Sequence, residues 1–172
     1  LKVVNVFNGI LDGQGYVIKN TWLHHDADTA AGYAPRFIAE NNGTVKNIGF
    51  ILDYMTYVSG SGSALRGIVN VNNGLIDNVY VQVNLNETTD NGDYNNTGII
   101  SWTNAGTISN TVVNATVVGG VTIETGRIAG LAYTNAGTIT NSYTINNGTA
   151  TVAAVQKGAT DGATAVTSWS GV

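Results

Sequence analysis

Residues 41–47 read NNGTVKN, and this phrase returns three more times in the chain. Its common pattern is Asn, any residue, Gly, any residue, an aliphatic residue, any residue and Asn. The other copies are NNGLIDN at 72–78, NAGTISN at 104–110 and NAGTITN at 135–141. The repeat glycines, Gly43, Gly74, Gly106 and Gly137, are therefore 31, 32 and 31 residues apart. Periods of this length are typical of chains built from stacked supersecondary units.

Apolar residues around each phrase alternate with a period of two. Two columns are aliphatic or aromatic in every copy, one six residues before the repeat glycine and one two residues after it: Phe37, Ile68, Ile100 and Leu131, then Val45, Ile76, Ile108 and Ile139. This alternation predicts strands with one buried face, and a helical period fits none of the copies. We predict three short strands in each unit: before the Asn-x-Gly turn, after it, and past the second Asn. Variable return segments then follow, at 54–65, 86–97 and 117–128.

One unit per turn predicts an all-β solenoid of about five coils, with like residues of successive turns about 4.8 Å apart. Residues 1–150 form this solenoid. Residues 6–20 are interpreted as a partial first coil, in which Ile18 and Asn20 echo the aliphatic residue and the second Asn of the phrase. Residues 151–172 keep a strand-like composition without the phrase, and three interpretations stay open: a terminal half-coil, a cap, or the lead into a further domain.

The repeated Asn and Gly columns have a structural reason. The backbone cannot complete its ladder at the corner of a coil, and an Asn amide both donates and accepts hydrogen bonds, so stacked amides can bond to one another. Glycine suits a turn that needs positive φ or a close approach of two coils. We therefore predict a structural ladder, not chemistry, at Asn47, Asn78, Asn110 and Asn141 and at the four repeat glycines.

Composition excludes several classes of function. The chain has 172 residues, 43% of them hydrophobic and only 10% charged, with 11 acidic and 7 basic residues and a net charge of -4. Nucleic-acid binding needs a positive surface, and no basic run exists, so no nucleic-acid partner is expected. No apolar stretch has the length of a membrane span, so no membrane insertion is expected. Without cysteine, disulfides and thiolate metal sites are impossible. The chain begins at Leu1, which we interpret as a processed product or an excised segment.

The unit resembles the GLUG-type repeat of bacterial surface and secreted proteins. The resemblance lies in the segments GIV at 67–69, GII at 98–100 and GLA at 130–132 with the phrases that follow them. The opening segment around 7–18 is similar to the entry segment of right-handed parallel β-helices in that group and in pectate-lyase-like proteins. The first copy departs from the pattern, with Arg36 where the others have Gly. The resemblance implies a right-handed parallel β-helix and large adhesins or other extracellular proteins; β-helical fibres also occur on phage particles.

Catalytic and metal sites are weakly indicated. Hydrolysis needs two facing carboxylates, but Asp77 has Lys46 and Ser109 as column neighbours. Lyase chemistry on acidic sugars needs several basic residues, and only Arg36 and Arg66 fall in nearby columns. We therefore expect no catalytic residue and no cofactor. A metal site is conceivable where both histidines lie beside two acids, but a solvated loop is the preferred interpretation: His24, His25, Asp26 and Asp28.

Aromatic residues recur in two columns and are the candidate ligand contacts. Trp102 and Tyr133 share the column four residues before the repeat glycine, and Tyr80 and Tyr143 share another, two units apart, on a predicted outer face. Such steps along a solenoid could stack against sugar rings. For Trp102 and Tyr133, the preferred alternative is that they fill the core or line a coil corner.

These observations lead to a functional expectation with two alternatives. We expect a non-catalytic module of an extracellular, cell-surface adhesin or fibre-like protein, a rigid spacer that presents a surface to a glycan or to a protein of a host or neighbouring cell. Bare terminal coils invite further pairing, so end-to-end or homo-oligomeric association is expected. The alternatives are a phage fibre or decoration protein on a virion, and a polysaccharide lyase or glycosidase.

Overall fold

The computed structural model describes residues 4–24, 36–57, 66–87, 97–118, 128–147, 152–158 and 162–166. All regular structure in these segments is β. The strands are β1 (Val4–Phe7), β2 (Ile10–Asp12), β3 (Val17–His24), β4 (Ile38–Asn41), β5 (Thr44–Tyr57), β6 (Val69–Asn72), β7 (Leu75–Glu87), β8 (Thr97–Gly98), β9 (Ser101–Asn104), β10 (Thr107–Ser109), β11 (Val112–Val118), β12 (Ile128–Asn135), β13 (Thr138–Thr140), β14 (Ser142–Asn146), β15 (Ala153–Gly158) and β16 (Ala163–Val166).

The strands form two parallel sheets that wind into a β-solenoid, which confirms the predicted fold class. The first sheet has the order β1-β4-β6-β9-β12-β15, with β8 also paired to β12. The second sheet is bent into two parts, which form two faces of the solenoid. One part contains β2, β10, β13 and the starts of β5 and β7. The other part contains β3, β11, β14, β16 and the ends of β5 and β7. Each sheet thus receives strands from successive repeats, as one unit per turn requires.

The repeat sets the register of the stack. The aliphatic residue of each phrase pairs with the corresponding residue of the next, and all four are at most 2% exposed: Val45, Ile76, Ile108 and Ile139. Further inward columns, such as Phe50, Val81 and Val113, join the same hydrophobic core. A slip of one residue would turn this whole set toward water, so the core fixes the register.

The number of turns and the frame of the first coil differ from the prediction. About three turns are present instead of five coils. In the first rung Leu11, not Ile18, occupies the aliphatic column: Leu11 pairs with Val45, whereas Ile18 pairs with Phe50. Residues 13–16 include extra residues at the bend, and these shift the pairing register of β3. At the other end, β15 extends the first sheet and β16 the second.

The sequence suggested two roles for glycine, a turn with positive φ and a close approach of two coils. In the structure Asn has the first role and Gly has the second. The second Asn of every phrase has positive φ, between 45° and 53°, and bends the chain between the two faces of the second sheet: Asn47, Asn78, Asn110 and Asn141. Asn tolerates this left-handed region better than other non-glycine residues. The repeat glycines instead permit close approach. A Cβ atom on Gly74 would lie 2.1 Å from the carbonyl oxygen of Gly43 in the rung below, and Gly106 and Gly137 have the same geometry.

The first Asn of each phrase forms a buried amide ladder. Asn41 Nδ2 donates to Asn72 Oδ1 at 2.8 Å, Asn72 Nδ2 to Asn104 Oδ1 at 2.7 Å, and Asn104 Nδ2 to Asn135 Oδ1 at 2.7 Å. These side chains are at most 3% exposed. Secondary contacts run from the amides to turn carbonyls, for example Asn72 Nδ2 to Thr107 O at 3.3 Å. The ladder satisfies the polar groups of these buried side chains at the ends of the strands of the first sheet.

Candidate functional site

A row of partly exposed side chains crosses the outer face formed by β7, β11 and β14. Tyr80 pairs with Val112, and Val112 pairs with Tyr143 on the next rung, so the two tyrosines lie two rungs apart in one column. Tyr80 is 37% exposed and Tyr143 is half-buried. The flanking positions on the same strands, Val81 and Val113, point into the core. We call Tyr80, Val112 and Tyr143 the tyrosine row.

Amide side chains border the tyrosine row and fix its phenol groups. The Tyr80 hydroxyl donates to Gln82 Oε1 at 3.3 Å and accepts from Asn114 Nδ2 at 3.4 Å. The Tyr143 hydroxyl donates to Asn141 Oδ1 at 3.2 Å. An aromatic ring next to amide donors and acceptors matches the needs of a sugar ring, which offers apolar C–H faces and hydroxyl edges. Gln82 and Asn114 carried no sequence signal, because they lie outside the repeated phrase.

Trp102 and Tyr133 stack, but their ring faces are covered. The ring centroids are 4.6 Å apart with an interplanar angle of 15°. The Arg66 guanidinium carbon lies 4.3 Å from the centroid of the Trp102 ring. Two groups this close to one centroid must occupy opposite faces, so Trp102 lies between Arg66 and Tyr133. Tyr133 is only 4% exposed. The idea that this pair offers steps for sugar rings therefore does not match the geometry, and a packing role does.

Arg66 is positioned by uncharged neighbours and repelled by a second cation. Its Nη1 donates to Asn70 Oδ1 at 3.3 Å, and its plane rests on Trp102. Burial, followed by the positive charge of Arg36, lowers the pKa of Arg66 from its ordinary value. Both arginines are half-buried. We call Arg36, Arg66, Asn70, Trp102 and Tyr133 the arginine–tryptophan stack. Arg66 precedes β6, which begins at Val69, so no strand periodicity indicated that its side chain reaches Trp102.

The outer Asn column is linked by hydrogen bonds, and one of these bonds goes to a neighbouring carboxylate instead of to an Asn. Asn78 Nδ2 donates to Asn47 Oδ1 at 2.9 Å, and Asn141 Nδ2 donates to Asn110 Oδ1 at 2.8 Å. Between these pairs, Asn110 Nδ2 donates to Asp77 Oδ1 at 2.8 Å. Ser109 Oγ also donates to this oxygen, at 2.6 Å. Asp77 thus serves the column as an acceptor, which is a structural use of the carboxylate.

The lower end of this column is acidic. Asp12 Oδ1 accepts from the Gln14 backbone N–H at 3.0 Å and from Asn47 Nδ2 at 3.1 Å. Its other oxygen lies 3.4 Å from Lys46 Nζ. These contacts, led by the Gln14 hydrogen bond, hold the pKa of the exposed Asp12 carboxyl below its usual range.

The candidate metal ligands lie mostly outside the described residues. His24 ends β3, where its backbone pairs with Thr56. His25, Asp26 and Asp28 lie in the segment 25–35, which is not described. Within the described ranges no group of three or more His, Cys, Asp or Glu side chains is placed to hold a metal ion.

Comparisons with protein-family models, with curated proteins and with solved structures each returned no match. The described part of the chain also contains no helix that is long and apolar enough to cross a membrane.

Proposed function

We propose that this chain is a non-catalytic module of an extracellular, cell-surface adhesin or fibre-like protein. The module acts as a rigid spacer and presents a binding surface to a glycan or to a surface protein. The GLUG-like phrase supports this assignment, because it stacks into a rod whose repeated residues serve the corners and the core. The tyrosine row is the observation that carries the binding role, since Tyr80 and Tyr143 lie in one column on a regular outer face with amides beside them.

Replacing both tyrosines of the row by alanine is expected to weaken glycan binding by about tenfold or more. Each aromatic contact contributes about 0.5–1.5 kcal/mol beyond its buried area, and about 1.4 kcal/mol corresponds to a factor of ten. Both rings lie on the surface side of their strands, so the fold should survive. The measurement is a glycan array with the wild type, followed by calorimetric titration of the best neutral hit with wild type and Tyr80→Ala/Tyr143→Ala.

A matched control is Tyr133→Leu, which removes a buried aromatic from another face. It should lower stability without changing affinity for the neutral glycan. Equal affinities for the wild type and the double variant would remove the tyrosine row from the binding surface. Accumulation of new reducing ends during long incubation with the bound glycan would overturn the non-catalytic assignment.

Head-to-tail association of copies is a second part of the proposal, supported by the first rung. Among the described strands, β1, β2 and β3 pair on one edge only, with β4 and β5. In the part of the chain that the structure describes, seven of the eight exposed large hydrophobic side chains lie on this rung: Val4, Val6, Ile10, Leu11, Tyr16, Val17 and Ile18. Free parallel edges accept a further parallel strand, so the end of a second copy fits this surface.

The substitution Ile10→Lys is expected to reduce this association. Ile10 is 73% exposed, so the change should cost little in folding while it places a charge on the open rung. Sedimentation velocity over a concentration series should show the wild type forming larger species and the variant staying monomeric. Asn84→Lys, an exposed position on β7 in the middle of the rod, adds the same charge and should associate as the wild type does. A wild type that is monomeric at every concentration would refute the head-to-tail part.

A further inference from the structure

The arginine–tryptophan stack has the features of an anion site on a different sheet from the tyrosine row. Asn70 Oδ1 accepts from Arg66, whereas its Nδ2 has no hydrogen-bond partner within the described segments. One N–H group of Arg66 donates to that amide, and one face of the guanidinium lies against Trp102. The remaining N–H groups of Arg66 have no partner in the same segments. A guanidinium offers five N–H donors in a planar fork. The stack therefore combines unused donors of Arg66 and Asn70 in one place.

The ring stack fixes the orientation of Arg66. Trp102 is packed between Arg66 and the buried Tyr133, so the indole cannot swing away from the guanidinium. Cation–π contact holds the guanidinium carbon 4.3 Å from the centroid of this ring. A pre-oriented fork loses little conformational entropy when it binds a carboxylate or a sulfate in bidentate fashion.

The electrostatics also favour an anion. Arg66 and Arg36 are close enough for one charge to act on the other, and the neighbours that hold Arg66 are uncharged. An anion bound to the Arg66 guanidinium would be attracted by that group and also by the positive charge of Arg36. The chain has a net charge of -4, so this stack is a local positive spot on an acidic molecule.

We propose that Arg66 and Asn70, assisted by the charge of Arg36, bind the negatively charged group of an anionic saccharide, a uronate carboxylate or a sulfate ester. The saccharide is favoured over an acidic protein because the donor set is small and planar and lies beside an amide that suits a hydroxyl. This site goes beyond the proposed function, since it recognises charge and uses the first sheet. It adds a second contact point to the same rod.

The test is titration with polygalacturonate, with sulfated dextran and with unmodified dextran. The wild type should bind both anionic polymers and ignore the neutral one. Arg66→Gln should weaken binding by about tenfold or more, because it removes a charge-assisted bidentate contact. Arg66→Lys should retain only part of the affinity, since it keeps the charge without the fork. Lys19→Gln, which removes an exposed cation from β3, is the matched control and should bind as the wild type does.

Three results would overturn the inference. The first is a wild type that binds neither anionic polymer, and the second is Arg66→Gln binding as well as Lys19→Gln. The third is equally tight, Arg66-dependent binding of polyglutamate, which would replace the saccharide by an acidic protein. If Arg66→Gln fails to give the melting profile of the wild type, Arg36→Gln provides the same comparison. Tyr80→Ala/Tyr143→Ala should keep its affinity for polygalacturonate, so failure of this site and failure of the tyrosine row are separable.

Discussion

Gly74→Ala is expected to destabilise the protein by about 3 kcal/mol or more. The new Cβ would lie 2.1 Å from the carbonyl oxygen of Gly43 and 2.9 Å from two further backbone atoms. A backbone atom in a stacked sheet cannot move aside as a side chain can. The two rungs would have to separate, and the hydrogen bond from Leu75 N to Gly43 O, 2.9 Å long, would be strained with them. Thermal denaturation should show a melting temperature lower by roughly 10 °C.

Gly9→Ala is the matched control, because Gly9 occupies the same column in the first rung. A Cβ there would meet only the Phe7 ring at 3.6 Å, an ordinary contact, and Gly9 does not have positive φ. Its effect should stay within about 0.5 kcal/mol. Equal destabilisation by the two substitutions would mean that close stacking is not the reason for glycine in this column.

Asn72→Asp is expected to cost about 3–5 kcal/mol at pH 7, the second large effect. The Asn72 amide nitrogen faces three oxygens, those of Asn104 Oδ1, Thr107 O and Gly74 O at 2.7–3.4 Å. A carboxylate would direct a second acceptor at each of them in a fully buried place. Burial without donors raises the pKa of a carboxyl group. The pKa of the introduced acid should therefore lie above its unfolded value in the folded protein.

This raised pKa gives the variant a pH dependence of definite sign. The folded state holds its proton more tightly than the unfolded state, so stability is retained at or below about pH 4, the unfolded pKa of Asp, and is lost as the pH rises. Urea denaturation of wild type and variant at pH 4 and pH 7 should show a smaller difference between the proteins at pH 4. Asn42→Asp, at the exposed position that follows the first Asn of the preceding phrase, should differ from the wild type by about 0.5 kcal/mol or less at both pH values. A pH-independent loss for Asn72→Asp would show that only shape matters at this position.

Much of the fold could be predicted from the sequence because every turn repeats the same pattern of core and corner residues. The aliphatic columns through Val45 and Phe50 repeat with the period of the rungs, so a core of stacked neighbours follows from them. The end rungs could not be predicted in this way. Gly13–Tyr16 inserts residues before β3, and this moved Ile18 out of the aliphatic column, where the pattern had placed it.

The candidate sites were harder to predict for the same reason. Tyr80 and Tyr143 share a column, so periodicity was enough to place them together. The contact between Arg66 and Trp102 depends on a side chain that crosses from one rung to another, and Arg66 comes directly before Gly67, which has φ of 67°. The same contact covers a face of the Trp102 ring, which the sequence had suggested as a contact for a sugar. Side-chain reach across rungs is not encoded in any spacing along the chain.

The two Asn columns have opposite directions along the rod. In the buried ladder the nitrogen of each amide points toward the later repeat, as from Asn41 to Asn72. In the outer column it points toward the earlier repeat, as from Asn78 to Asn47. Aligned amide dipoles within one column add with every turn, whereas dipoles in antiparallel columns cancel. The opposite directions of these two columns therefore offset part of the dipole that each column builds up as units are added to the rod.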